Sequence, residues 1–252
     1  MNPAPLARAV IVLVPTRGTI CAELSRALIN NTPGFELVLR TRDRLPVDVA
    51  RNALAADAIA AANDGARFPA GSDPYVFWID SDAFFLHGTM TLMVRTLEQH
   101  PDIDVLAGLF GPRASERGAT AFRSAGDRSS YLVPEVNFTR GDLVDVDLVG
   151  LHFLLHRVSL LRSLGPDPFG APDSPASDDA AFCGRIRHGG GRIAVATGVP
   201  VFHVDERNGT AYSPGVGACA IAGDAISTTL LGDELPPEER TYGGRIDRAT
   251  RS

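Results

Sequence analysis

The chain has 252 residues, 44% hydrophobic and 21% charged, which suits one large α/β domain or two small ones and excludes a low-complexity or disordered chain. Its formal net charge of -6 argues against a broad non-specific nucleic-acid surface, though not against a local basic groove. Cys21, Cys183 and Cys219 are widely spaced and form no C-x-x-C pair, and no apolar run nears the roughly 20 residues that span a bilayer, so a reduced, cytoplasmic setting is expected.

Residues 10–14, V-I-V-L-V, run into the turn Pro15-Thr16-Arg17-Gly18. A continuous aliphatic run of this length predicts a strand buried on both faces. Ile20, Leu24, Ala27 and Leu28 then recur at helical spacing over 19–29, and 35–39 is a second strand. The alanine-rich stretch 48–62 predicts a helix that opens with Arg51-Asn52 and closes at Asn63-Asp64-Gly65. Residues 75–79, Y-V-F-W-I, are the most apolar strand and drive straight into Asp80-Ser81-Asp82. A helix over 89–100 and a strand over 105–110 complete a β-α-β-α-β-α-β order, the pattern of a doubly wound α/β sheet.

From 111 to 140 Gly, Ser, Arg and Asp dominate, with a short apolar piece at Tyr131-Leu132-Val133, and an irregular excursion is expected. Residues 144–155 are apolar again, with Asp145 and Asp147 alternating early and Gly150 in the middle. A short helix over 157–164 and a Pro-, Asp- and Gly-rich loop follow. The next helix, 177–188, has Ser177 as N-cap and Gly189 past its end. Short strands are expected at 193–196 and 199–203. The organisation read from this is a single domain over 1–232 and a polar, flexible tail over 233–252.

Four groups of residues carry the candidate chemistry. Asp80 and Asp82 stand at the carboxyl end of a buried strand, where open α/β sheets bind ligands, and paired carboxylates there suit a hard divalent cation. Asp178 and Asp179 open a helix; acids there complement its dipole, and one facing a cleft can act as general base. His203 ends the apolar run Val199-Pro200-Val201-Phe202, and an imidazole beside carboxylates suits manganese. Arg17 and Arg51 are placed to meet phosphates. Neither a G-x-G-x-x-G nor a Walker loop follows the first strand, which disfavours dinucleotide and P-loop readings.

Taken in order, P-T-R-G, R-N, D-S-D, V-D-V-D-L-V-G-L-H-F-L-L-H-R, S-D-D-A-A-F-C-G-R-I-R-H-G-G-G-R-I and V-F-H-V resemble the GT-A glycosyltransferases over most of the chain, residues 10–205. The resemblance implies a GT-A type α/β fold: a mostly parallel doubly wound sheet with a small additional antiparallel or irregular acceptor-side region. It implies transfer of a sugar from a UDP- or GDP-linked donor to an acceptor hydroxyl, with Mn2+ or Mg2+ as cofactor. Asp82 and His203 look like metal ligands, and Asp80 like the carboxylate near donor ribose and metal. Pro15, Thr16, Arg17, Arg51, Ser81 and Gly150 look like donor-binding positions. Asp178-Asp179 looks like the E-D pair under the acceptor, with Asp179 the base of an inverting reaction. Asp in place of Glu at 178 shortens that side chain's reach.

The resemblance extends to compact enzymes of bacteria and their phages, some of which modify hydroxymethylated pyrimidines in DNA. Arg113, Arg117, Arg123, Arg128 and Arg140 are candidates for contacts to such a DNA acceptor; a glycan or small molecule is the other acceptor class. A nucleotidyltransferase is the competing enzyme class, but it would bring a Gly-rich basic loop after the first strand. A non-catalytic nucleotide-sugar-binding module is the third reading.

Overall fold

The computed structural model describes residues 8–31, 35–111, 120–124, 131–132, 143–171, 176–205, 207, 209–213, 217–221 and 246–248. β1 (Arg8–Thr16), α1 (Ala22–Asn31), β2 (Phe35–Asp43), α2 (Val47–Ala62) and β3 (Tyr75–Ile79) come first. β4 (Ala83–Phe85), α3 (Thr89–Gln99), β5 (Val105–Leu109), β6 (Ala121–Ser124) and β7 (Tyr131–Leu132) follow. Then come β8 (Leu143–Val146), β9 (Leu148–Val149), β10 (Phe153–Arg157), α4 (Val158–Leu164) and α5 (Asp178–His188). The last strands are β11 (Ile193–Asp205), β12 (Thr210–Ser213), β13 (Gly217–Ile221) and β14 (Ile246–Arg248).

Alternation along β1 sorts the core into two layers. Val10, Val12 and Val14 pack with Leu24 and Leu28 of α1 and with Met90, Met93 and Leu97 of α3. Ile11 and Leu13 pack on the other face with Leu54 and Ala58 of α2, Leu161 of α4 and Phe182 and Ile186 of α5. The sheet is therefore covered by helices on both faces, which is why β1, β3 and β5 carry no polar side.

The sheet is mixed, and this corrects the expectation of a mostly parallel one. β2, β1 and β3 run parallel, as do β5 and β11. Between them β10 is antiparallel to both β3 and β5. Among the described residues of the stretch between β5 and β10, β6 pairs with β7 and β9. Of the arginines expected to face a DNA acceptor, only Arg123 is among the described residues, and its Nε donates to the Asp145 carbonyl at 2.8 Å.

The apolar stretch 144–155 runs through β8, β9 and β10, and its acids pair with arginines downstream. Asp145 accepts from Arg192 Nε at 2.7 Å and Asp147 pairs with Arg187 at 3.0 Å. The two strands expected at 193–196 and 199–203 are one bent strand, β11, whose register shifts between Ala196 and Pro200. Its first half pairs with β5 and β8, its second with β4 and β12. The bend needs a glycine opposite. A Cβ on Gly108 of β5 would lie 2.7 Å from Val201 Cγ2 and 3.0 Å from Phe153 Cδ1. The expected flexible tail lies outside the described residues except 246–248, which pair with β13.

In the layer under α5, His156 is fully buried. It accepts a hydrogen bond from Trp78 Nε1 at Nε2, 2.8 Å away, and its Nδ1 lies 2.8 Å from the Arg157 carbonyl. Nδ1 therefore carries the proton of a neutral ring. Burial outweighs the carbonyl and pushes the imidazole down to about 4. Between the ordinary histidine value near 6.5 and that value the unfolded chain binds the extra proton, so stability rises with pH across this window and is lost as pH falls. We expect a slope of up to about 1.4 kcal/mol per pH unit from this residue. Urea unfolding followed by fluorescence of Trp78, the single tryptophan, measures it. His156→Gln keeps an acceptor for Trp78 and should flatten the pH dependence; an unchanged slope would assign it elsewhere.

Candidate functional site

The carboxyl ends of β1, β3 and β11 open on a cleft of about 860 Å³. Its walls bring together Pro15, Thr16 and Arg17, the Asp80-Ser81-Asp82 turn, Asp178 and Asp179, and His203. These positions are far apart in sequence and converge because each follows or ends a strand, or opens α5.

Two turns form one edge. Thr16 Oγ1 donates to the Thr19 carbonyl at 2.6 Å and accepts from Gly18 N at 3.1 Å. Gly18 sits at φ +119°, a conformation that glycine supplies without strain. This turn delays the start of α1 from the expected 19 to Ala22. Cys21 N then donates to the Ser81 carbonyl at 2.9 Å, stitching the two turns together. β4 does the same on the other side. Its pairing sets Ala83 opposite His203, and Val204 N donates to the Asp82 carbonyl at 2.8 Å. His203 Nε2 consequently lies 2.9 Å from Asp82 Oδ2.

Arg51 lines the cleft although it is only 3% exposed. Its Nη2 donates to Asp80 Oδ1 at 3.0 Å and to the Leu151 carbonyl at 3.2 Å. Its Nη1 donates to Asp178 Oδ2 and, at 3.3 Å, to Asp179 Oδ1. Burial works against the charge, but Asp80, Asp178 and Asp179 outweigh it and hold the guanidinium above its usual range. Asp80 is also held through Oδ2 by His152 Nδ1. Burial would raise Asp80, yet Arg51 and His152 win and bring it to about 2. His152 shows the converse: burial lowers it, while Asp80 and Asp179 lift it above its ordinary value. Asp179 behaves otherwise. Burial and the neighbouring Asp178 raise it against the pull of Arg51, His152 and the Leu151 N–H.

The expected roles divide accordingly. Asp82 and His203 face one another in the cleft, in direct contact. Asp80 lines the same cleft and is engaged through both oxygens, Oδ1 by Arg51 and Oδ2 by His152. Arg51 also lines the cleft, with its guanidinium paired to Asp80, Asp178 and Asp179. Gly150 is buried and does not line the cleft. A Cβ there would lie 2.8 Å from both His152 Cδ2 and Thr120 Oγ1, so the glycine makes room for the imidazole.

His152 was not singled out from the sequence, although G-L-H-F, a histidine entering a buried strand, was its signal. It stacks on Phe110 with centroids 4.1 Å apart. Leu45, Pro46, Val47 and Arg207 also line the cleft and were missed.

Among the described residues no group of three or more His, Cys, Asp or Glu side chains is disposed to hold a metal ion. Asp82 and His203 supply one carboxylate and one imidazole, donor types that suit a divalent ion. No family model matches the chain, and no curated protein matches it in sequence. Its fold is similar to that in the crystal structure of A197 from STIV, with a TM-score of 0.60 and 16% identity over 84% of this chain and 92% of that one. At that identity the likeness shows an α/β fold and nothing of chemistry.

Removing Arg51 leaves Asp80, Asp178 and Asp179 without their shared cation. Arg51→Ala is expected to cost about 3–5 kcal/mol of stability, as breaking a buried ion pair does. Denaturant unfolding checks this; a loss below about 1 kcal/mol, the scale of an exposed pair, would mean the carboxylates are solvated rather than held.

Proposed function

We propose that the chain is a metal-dependent glycosyltransferase of GT-A type, using a UDP- or GDP-linked sugar as donor and an acceptor hydroxyl on a glycan, a small molecule or a modified pyrimidine of DNA. The observation that supports this best is the convergence of the Asp82–His203 pair and the half-exposed Asp179 on one cleft at the strand ends. Open α/β sheets bind ligands at that edge.

In this reading Asp82 and His203 hold Mn2+ or Mg2+, which when bound neutralises charge on the departing diphosphate. Exposed Arg17 and Arg207, both lining the cleft, meet the phosphates from its mouth. The acceptor oxygen bonds to the anomeric carbon as the bond from that carbon to the phosphate oxygen breaks, and the nucleoside diphosphate leaves. In an inverting course Asp179 takes the acceptor proton through the oxygen that does not receive Arg51 and Leu151. Its raised proton affinity suits that task, since a strongly depressed carboxylate is a weak base.

The test is a thermal-shift screen of nucleotide sugars with and without Mn2+, because a ligand of the native state raises the melting temperature by mass action. We expect a UDP- or GDP-sugar to raise it more with Mn2+ than without. Asp82→Ala should then lose both the metal-dependent part of the shift and metal-stimulated turnover; full turnover in that variant would sink the assignment. Release of pyrophosphate instead of a nucleoside diphosphate would identify a nucleotidyltransferase, and binding with no turnover across the panel a binding module.

A further inference from the structure

Arg51 divides one positive charge unequally. Its Nη1 faces two carboxylates from consecutive residues, Asp178 through Oδ2 and Asp179 through Oδ1 at 3.3 Å, while Nη2 is committed to Asp80 at 3.0 Å. The side chains of the two competing acids differ in exposure, 12% for Asp178 and 31% for Asp179. Asp178 is thus the inner acid, turned onto the guanidinium, and Asp179 the outer one, turned towards the cleft.

We propose that Arg51 and Asp178 are positioning residues that together set the proton affinity of Asp179, an inference that rests on reading Asp179 as the proton acceptor. Asp178 acts twice. It is a like charge one residue away, and it draws Nη1 from Asp179. Both effects favour the protonated form of Asp179. Arg51 acts the other way, as the nearest cation. The remaining groups that face Asp179 are His152, from the turn before β10, the Leu151 N–H at 3.3 Å, and the buried Cys183 thiol one turn along α5. Burial pushes that thiol up to about 12, so it stays neutral through the working pH range and does not titrate with Asp179.

This arrangement answers why Asp rather than Glu stands at 178. The α5 N-terminus already satisfies Ala180 N through Ser177 Oγ, so Asp178 is not needed as a cap. Its short side chain reaches the guanidinium from the first turn.

The experiment is a 13C-NMR titration of the Asp179 carboxyl in the full chain, its signal identified by its loss in Asp179→Asn. Asp178→Asn should move the midpoint down and Arg51→Gln should move it up. Structural damage does not shift one carboxyl in opposite directions in two variants. An unmoved midpoint in Asp178→Asn, or shifts of the same sign in both, overturns the proposal. If Arg51→Gln does not fold, the Asp178→Asn comparison decides alone. The underlying reading is tested separately: full transfer by Asp179→Asn with the donor found in the screen would remove the base role and leave the titration result standing.

Discussion

A guanidinium with almost no access to water is the constraint from which the cleft is built. A buried cation is costly unless paired and hydrogen-bonded, so every element that reaches Arg51 must bring an acceptor. The turn after β3 brings Asp80, the start of α5 brings Asp178 and Asp179, and the turn before β10 brings the Leu151 carbonyl. Three segments, up to 128 positions along the chain from Arg51, are thereby held to one point. The same ion pairing that fixes the geometry also sorts the carboxylates: Asp80 is made strongly acidic, while Asp179, at the edge of the network, is not.

The two acids of D-S-D therefore do different work although they are one residue apart. Asp80 points into the charged floor and is consumed by structure. Asp82 points across the cleft to His203, held there by pairing of β4 with the far half of β11. A turn at the end of a buried strand gives neighbouring side chains opposite directions, and the surroundings decide which remains available to a ligand.

Much of the frame was legible from the sequence. Continuous aliphatic runs gave β1, β3 and β5, and Ser177 and Gly189 marked the ends of α5, because these features depend on local periodicity and capping. What was not legible depends on partners distant in the chain. The antiparallel course of β10 between β3 and β5 is a long-range pairing that no local pattern in 153–157 announces. The division of 144–155 into β8, β9 and β10 goes with their different partners, β11 for the first, β6 for the second and β3 and β5 for the third. Nothing local marks Ala83-Phe84-Phe85 as a strand, yet its backbone pairs with β11. Arg51 read as a phosphate ligand because Arg on a helix near a cleft often is one; only the approach of the three carboxylates shows that its charge is already spent.

The bend in β11 has a consequence for how this chain can change. The space above Gly108 is filled from the facing strand by Val201 Cγ2 and from β10 by Phe153 Cδ1. Position 108 cannot gain even a methyl group while those two keep their size, and β11 cannot straighten without releasing the second half that carries His203. Drift at these three positions is therefore coupled: a larger residue at 108 needs a smaller one at 201, whose Cγ2 stands nearest, and room from Phe153 as well. The aim of the cleft histidine is guarded by a packing constraint that touches none of the cleft's own residues.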